Sequence, residues 1–176
     1  NAGRRKVAEG LVSDFLSILK QSYMKSNCDL SLSVHKTEKR LPLSETISLD
    51  RLPIAKGDIW GKNWSSGYFY IYTRIPEDFK GKKLALKLNL GGEVLLYDRC
   101  CKPLFGLTNC SVHKDSYFKD LYFLGSYDKD VFEVYAEVAS NDLFGLKRNE
   151  KKVSRSIENP HGTWQSKVEY AYIGVF

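Results

Sequence analysis

"GKKLALKLNLGGEVLLYD", residues 81–98, decides the fold class. Leu84, Leu86, Leu88 and Leu90 alternate with Lys83, Ala85, Lys87 and Asn89. A period of two sets the leucines on one face of a strand and the polar groups on the other, as in a half-buried sheet. Gly91-Gly92 breaks the run, and Val94 to Tyr97 begins a second strand. The pattern recurs outward in both directions. Leu30, Leu32 and Val34 alternate with Ser31, Ser33 and His35, and Tyr68 to Ile75 is aromatic and β-branched. Phe132, Val134, Ala136 and Val138 alternate with Glu133, Tyr135 and Glu137, and Trp164 to Val175 alternates again through Val168, Tyr170 and Tyr172. Pro76-Glu77-Asp78, Lys80-Gly81-Lys82 and Asp128-Lys129-Asp130 supply turns. Leu41 to Leu52, with Pro42 and Pro53, suits an edge or a connection. Short strands between turns, with no helices alternating among them, predict an antiparallel β-sandwich.

One helix is expected, over residues 7–25. Leu11, Phe15 and Ile18 share a face, with Val12, Leu16, Leu19 and Tyr23 beside them. The chain thus divides into an N-terminal helical segment, 1–27, and a sandwich, 28–176. Asn1-Ala2 has the form of a scar left by tag cleavage. "LKRNEKKVSRSIENPHG", residues 146–162, is charged and poor in apolar groups, which predicts a mobile loop.

The chain has 176 residues, enough for one domain with a real core. Its net charge is +6, but the lysines are interspersed with acids. That pattern reads as a solvated surface rather than a nucleic-acid footprint. No apolar run reaches membrane-span length, and residues 1–6 lack the apolar core of a signal peptide. Cys28, Cys100, Cys101 and Cys110 form no CxxC pair and are expected as reduced cytoplasmic thiols.

No GxSxG, HExxH, phosphate-binding glycine loop or dinucleotide fingerprint is present. Cys110 and His113 lie close in "NCSVH", but a turn accounts for that spacing. Glu93, Asp98, Glu133, Glu137 and Asp142 are available as a glycosidase pair, and spacing places no two of them at the required separation. Glu133 and Glu137 alternate outward and are expected in solvent. Glu93, after the glycine bend, is expected to cap a turn or meet a cation. The aromatic stretch is richer. Trp60, Asn63, Trp64, Tyr68 and Asp58 offer the flat faces and polar groups that a pyranose ring needs. The competing use is packing, either plugging one end of the sandwich or facing another domain.

Several separate motifs carry a resemblance: Trp60-Gly61, Trp64, Tyr68-Phe69, Ile75-Pro76, Phe79, Gly81-Lys82, Glu93, Leu96-Tyr97-Asp98 and Gly106-Leu107-Thr108. "EVYAEVASNDLFG", 133–145, and "YAYIGVF", 170–176, continue it. In this order the segment from about residue 50 to 176 resembles the N-terminal β-sandwich of glycoside hydrolase family 38 α-mannosidases, of the bacterial and fungal cytosolic-vacuolar group. It departs from the family pattern at Tyr68, where a tryptophan is usual, and at Asp142, where a glycine is. It departs again at Asp98-Arg99-Cys100-Cys101, where an Asp-Gly turn is usual.

The resemblance implies a jelly-roll sandwich of the galactose-binding-like class with a structural and interdomain role. It implies no catalytic or metal residue in this chain. The zinc ion and the nucleophile of a retaining α-mannosidase belong to a catalytic domain lying beyond it. Trp60, Asn63, Trp64, Tyr68 and Glu93 become the expected carbohydrate or interdomain contacts. The expected partners are the catalytic domain of the same polypeptide, α-mannoside glycans, and further copies in a homo-oligomeric cytoplasmic enzyme, with neither nucleic acid nor membrane. An independent carbohydrate-binding module is the alternative.

Overall fold

A computed structural model describes residues 7–12, 26–62, 64–109, 119–140 and 165–176. Twelve strands make up the described fold. They are β1 (Ser26–Asp29), β2 (Ser31–Thr37), β3 (Leu52–Ile54), β4 (Ile59–Lys62), β5 (Ser65–Arg74) and β6 (Lys83–Asn89), followed by β7 (Glu93–Tyr97), β8 (Pro103–Thr108), β9 (Leu121–Ser126), β10 (Val131–Ser140), β11 (Gln165–Lys167) and β12 (Tyr170–Val175). They form a six-stranded sheet in the order β3-β2-β5-β10-β7-β8, a four-stranded sheet in the order β1-β12-β6-β9, and a β11-β4 pair. Every strand pair is antiparallel. Mainly β and antiparallel, the chain has the fold class its alternation predicts.

The leucine strand does what its period demands. Leu84, Leu86, Leu88 and Leu90 are fully buried between the sheets. Phe69, Ile71, Val134, Ala136, Val138, Val94 and Leu96 meet them from the six-stranded side. Burial of this kind is the main force holding two sheets together. Asn109 is the buried polar clasp: it accepts from the Leu90 amide at 3.0 Å and donates to the Leu88 carbonyl at 2.8 Å. Gly91 takes a left-handed φ of 76° at the bend into β7, where a Cβ would come within 2.7 Å of the Lys167 carbonyl oxygen.

Several elements differ from the sequence reading. The alternation from Trp164 to Val175 is not one strand. β11 pairs with β4, and β12 pairs with β6 and β1, so the chain crosses between sheets at Val168-Glu169. Its backbone groups there bond to Asp58, Gly57 and Asn89, partners remote in sequence. Leu41 to Leu52, by contrast, is the connection and edge expected: it runs through one helical turn, Leu43–Thr46, into the edge strand β3, where the missing donor of Pro53 is tolerated. Of the expected N-terminal helix, residues 7–12 are helical; residues 13–25 lie outside the described residues, as do Asn63, Cys110, His113 and the charged segment 146–162. Cys28, Cys100 and Cys101 are free thiols. Among the described residues no helix is long and apolar enough to cross a membrane.

Candidate functional site

The two tryptophans of the β4–β5 corner, where the chain passes from the β11-β4 pair into the six-stranded sheet, have opposite fates. Trp60 is 4% exposed. Its ring lies over Gly67, meets Phe69 edge to face at 5.3 Å, and donates from Nε1 to the Leu90 carbonyl at 2.7 Å. A buried indole with its one donor satisfied is a packing residue. Trp64 is 55% exposed. Exposed to this extent it does not plug the sandwich, and facing another domain is the packing use left open to it. Its backbone explains the difference: φ is 67°, and its amide donates to the Ser140 carbonyl at 2.8 Å. That left-handed turn swings the side chain out of the corner.

Tyr68 and Glu93 lie elsewhere, on the outer face of the six-stranded sheet. Alternation puts Phe69 and Ile71 of β5 inside, and Tyr68, Tyr70 and Tyr72 outside. Register then builds cross-strand rows on that outer face. One runs His35, Tyr68, Glu137, Leu95, Gly106; the next runs Ser33, Tyr70, Tyr135, Tyr97, Pro103. Such rows are where sheet side chains interact. Tyr68 is nonetheless buried, because the connection folds over it: its hydroxyl donates to the Leu41 carbonyl at 2.6 Å and accepts from the Leu41 amide at 2.7 Å.

Glu137 is the hub. Oε1 accepts from Arg40 Nε at 2.7 Å, and Oε2 accepts from the Tyr97 hydroxyl at 3.0 Å. Its side chain is only 14% exposed, and that of Glu133, beside Arg99 at 3.4 Å, is 17% exposed. The expectation that both acids stand in solvent is corrected: tyrosines and arginines from neighbouring segments enclose them. Burial and then Glu137 push the Tyr97 phenol up to about 12; burial and then Glu133 do the same to Tyr70.

Glu93 stands one row further on. Oε2 accepts from the Thr108 hydroxyl at 3.1 Å, while the enclosed Oε1 has no hydrogen-bond partner. Burial raises its carboxyl above the ordinary glutamate value, and the Thr108 bond opposes the rise. Two depressions flank Arg40 and Glu137. One, of about 520 Å³, is bordered also by Leu41, Leu43, Tyr97 and Cys101; the other, of about 390 Å³, by Glu93, Leu95, Gly106, Thr108 and Lys119. A third hollow, of about 470 Å³, lies beside the β4–β5 corner between Lys36, Ile59, Ser65 and Gln165.

The expected site residues therefore do not form one cluster. Trp60 belongs to the core, Trp64 to the β4–β5 corner, and Tyr68 and Glu93 to the outer sheet face. Arg40 and Tyr97, which complete that face, were not singled out by the sequence. Alternation in β7 could have marked Tyr97 as outward; nothing local marks Arg40.

Comparison with known proteins agrees with this architecture. A family described as "Alpha-mannosidase, jelly roll domain" matches residues 28–167. Alpha-mannosidase 2C1 of Homo sapiens is 33% identical over 114 residues, covering 65% of this chain and 11% of that protein. Alpha-mannosidase 2C1 of Mus musculus is 32% identical over 119 residues, covering 68% of this chain and 11% of that protein. The matched region is thus a small part of the length of these relatives. With residues 28–167, most of its length, matched to one family, this chain belongs to the α-mannosidase jelly-roll domain family.

Proposed function

We propose that this chain is a non-catalytic domain of an α-mannosidase, with a structural and interdomain role. Hydrolysis of terminal α-mannosides, with retention, is the work of the rest of a longer polypeptide. The observation that carries this reading is the match itself: a jelly-roll domain aligned to 11% of the length of proteins named as α-mannosidases. The partner in this reading is the catalytic part of the same polypeptide, within a cytoplasmic homo-oligomer. Trp64, exposed at the β4–β5 corner, is suited to contact that partner.

In this reading the zinc ion that the resemblance implies is held by the catalytic part. The test is turnover of an aryl α-mannoside by this chain and by the longer polypeptide. The longer protein is expected to release the phenol and this chain is not. Chelator-sensitive turnover by the chain alone overturns the proposal.

A further inference from the structure

We propose that the outer face of the six-stranded sheet holds a site for a neutral, hydroxyl-rich ligand of the pyranoside class. The ligand would sit over Leu95 and Gly106, between the Arg40–Glu137 pair and Glu93. This goes beyond the structural role above. The groove stands on its own geometry; only the choice of mannosides as first probes rests on the family.

Three observations carry it. The first is shape. The two depressions that share Arg40 and Glu137 have volumes of about 520 and 390 Å³, in the size range of small-molecule sites. Gly106, directly opposite Leu95 in the register, leaves the floor open: a Cβ there would meet nothing nearer than the Val94 carbonyl oxygen at 4.0 Å. The second is charge. Arg40 is paired with Glu137, and Lys119 and Glu93, of opposite sign, border the same hollow. With the signs balanced, the groove selects neither anions nor cations, and a polar but uncharged ligand fits it best.

The third is hydrogen-bonding capacity. Glu93 Oε1 is enclosed without a partner, which costs free energy until a donor reaches it. A small turn of the carboxyl toward the groove would bring Oε1 to a sugar hydroxyl. Arg40 spends Nε on Glu137 while its side chain remains 78% exposed, so its terminal nitrogens face outward as donors. Thr108 adds a hydroxyl to the wall, and Tyr97 borders the adjoining depression. Polar walls around a Leu95–Gly106 floor match a pyranose ring, which has hydroxyls at its edge and C–H groups on its face.

The experiment is a titration of the purified chain with methyl α-mannoside, mannobiose and methyl α-glucoside, followed by amide NMR shifts. Saturable shifts at Leu95, Gly106 and Thr108 with any of the three are expected. Gly106→Val puts a branched side chain on the groove floor from a Cβ that meets nothing nearer than 4.0 Å, so the variant should fold with a melting temperature at or above that of the parent while affinity falls at least about tenfold. Trp64→Ala should bind as the parent does. The proposal is overturned by no saturable shift with any probe, by shifts confined to the β4–β5 corner, or by unchanged affinity in a folded Gly106→Val. Turnover by the longer polypeptide is read separately, so failure of the groove and failure of the mannosidase reading are distinguishable.

Discussion

The two faces of the six-stranded sheet are built from the same strands and obey different rules. On the inner face Phe69, Ile71, Val134, Ala136 and Leu96 are apolar and sealed. Each contributes by area removed from water, and any apolar side chain of similar volume would serve. On the outer face Tyr68, Tyr70, Tyr97, Glu133 and Glu137 are joined by hydrogen bonds and by arginines from distant segments. There identity matters more than volume, because each buried polar group needs its particular partner. A strand thus carries two kinds of information at period two: one face specifies a core, the other a network.

The sharpest way to break the comparison is at the inner face. Trp60→Ala removes a buried indole, its Phe69 contact and its bond to Leu90, and should cost about 3–5 kcal/mol. Urea denaturation measures it; a loss below about 1 kcal/mol would mean that the indole is not a core residue. A smaller effect comes from the opposite error. At Gly67 a Cβ would lie 2.7 Å from the Trp60 ring, so Gly67→Ala overpacks the core and should cost about 1–3 kcal/mol by the same measurement. No outer-face glycine should behave this way; Gly106, with open space above it, is the control.

This asymmetry also explains what the sequence made legible. The core strands could be read because an apolar period needs no knowledge of partners. Leu84 to Leu90 would be buried against any second sheet. The split of β11 from β12 could not be read, because Val168 continues the alternation while the ladder changes partner from β4 to β6. β8, with Leu104 and Phe105 both exposed, carries no clean alternation and escaped notice. Glu137 failed for the same reason as Val168. Its outward direction was visible, but its enclosure depends on Arg40, 97 residues away in sequence. Trp60 and Trp64 look alike in the sequence because a left-handed φ at a non-glycine residue leaves no local signature.

The outer face also predicts a pH dependence. The Glu93 carboxyl is raised by burial, so the folded chain holds this proton to higher pH than the unfolded chain does. Between the ordinary glutamate value and the raised one, the native state binds more protons, and the unfolding free energy falls as pH rises. The full stability at this position is present below the ordinary value and is lost as pH climbs through the raised one. Glu93→Gln should flatten that slope and raise the melting temperature at neutral pH relative to the parent. Parallel melts from mildly acidic to neutral buffer decide it; a variant with an unaltered slope would place the titration elsewhere.

The smallest expected effect tests the β4–β5 corner. Trp64 has over half its surface in solvent, so Trp64→Ala should change stability by no more than about 0.5 kcal/mol, as at ordinary surface positions. The backbone adds a second arm. With φ at 67°, any Cβ at this position is crowded, at a cost of roughly 1–2 kcal/mol for the left-handed conformation. Trp64→Gly relieves that crowding and gives back part of the gain through the entropy of the unfolded chain, so it should come out near or slightly above the parent. If alanine is neutral and glycine neutral or better, the domain itself has no need of this indole. The side chain then serves whatever meets the corner from outside. If alanine instead costs as much as Trp60→Ala, Trp64 packs into the domain after all, and the contrast between the two tryptophans collapses.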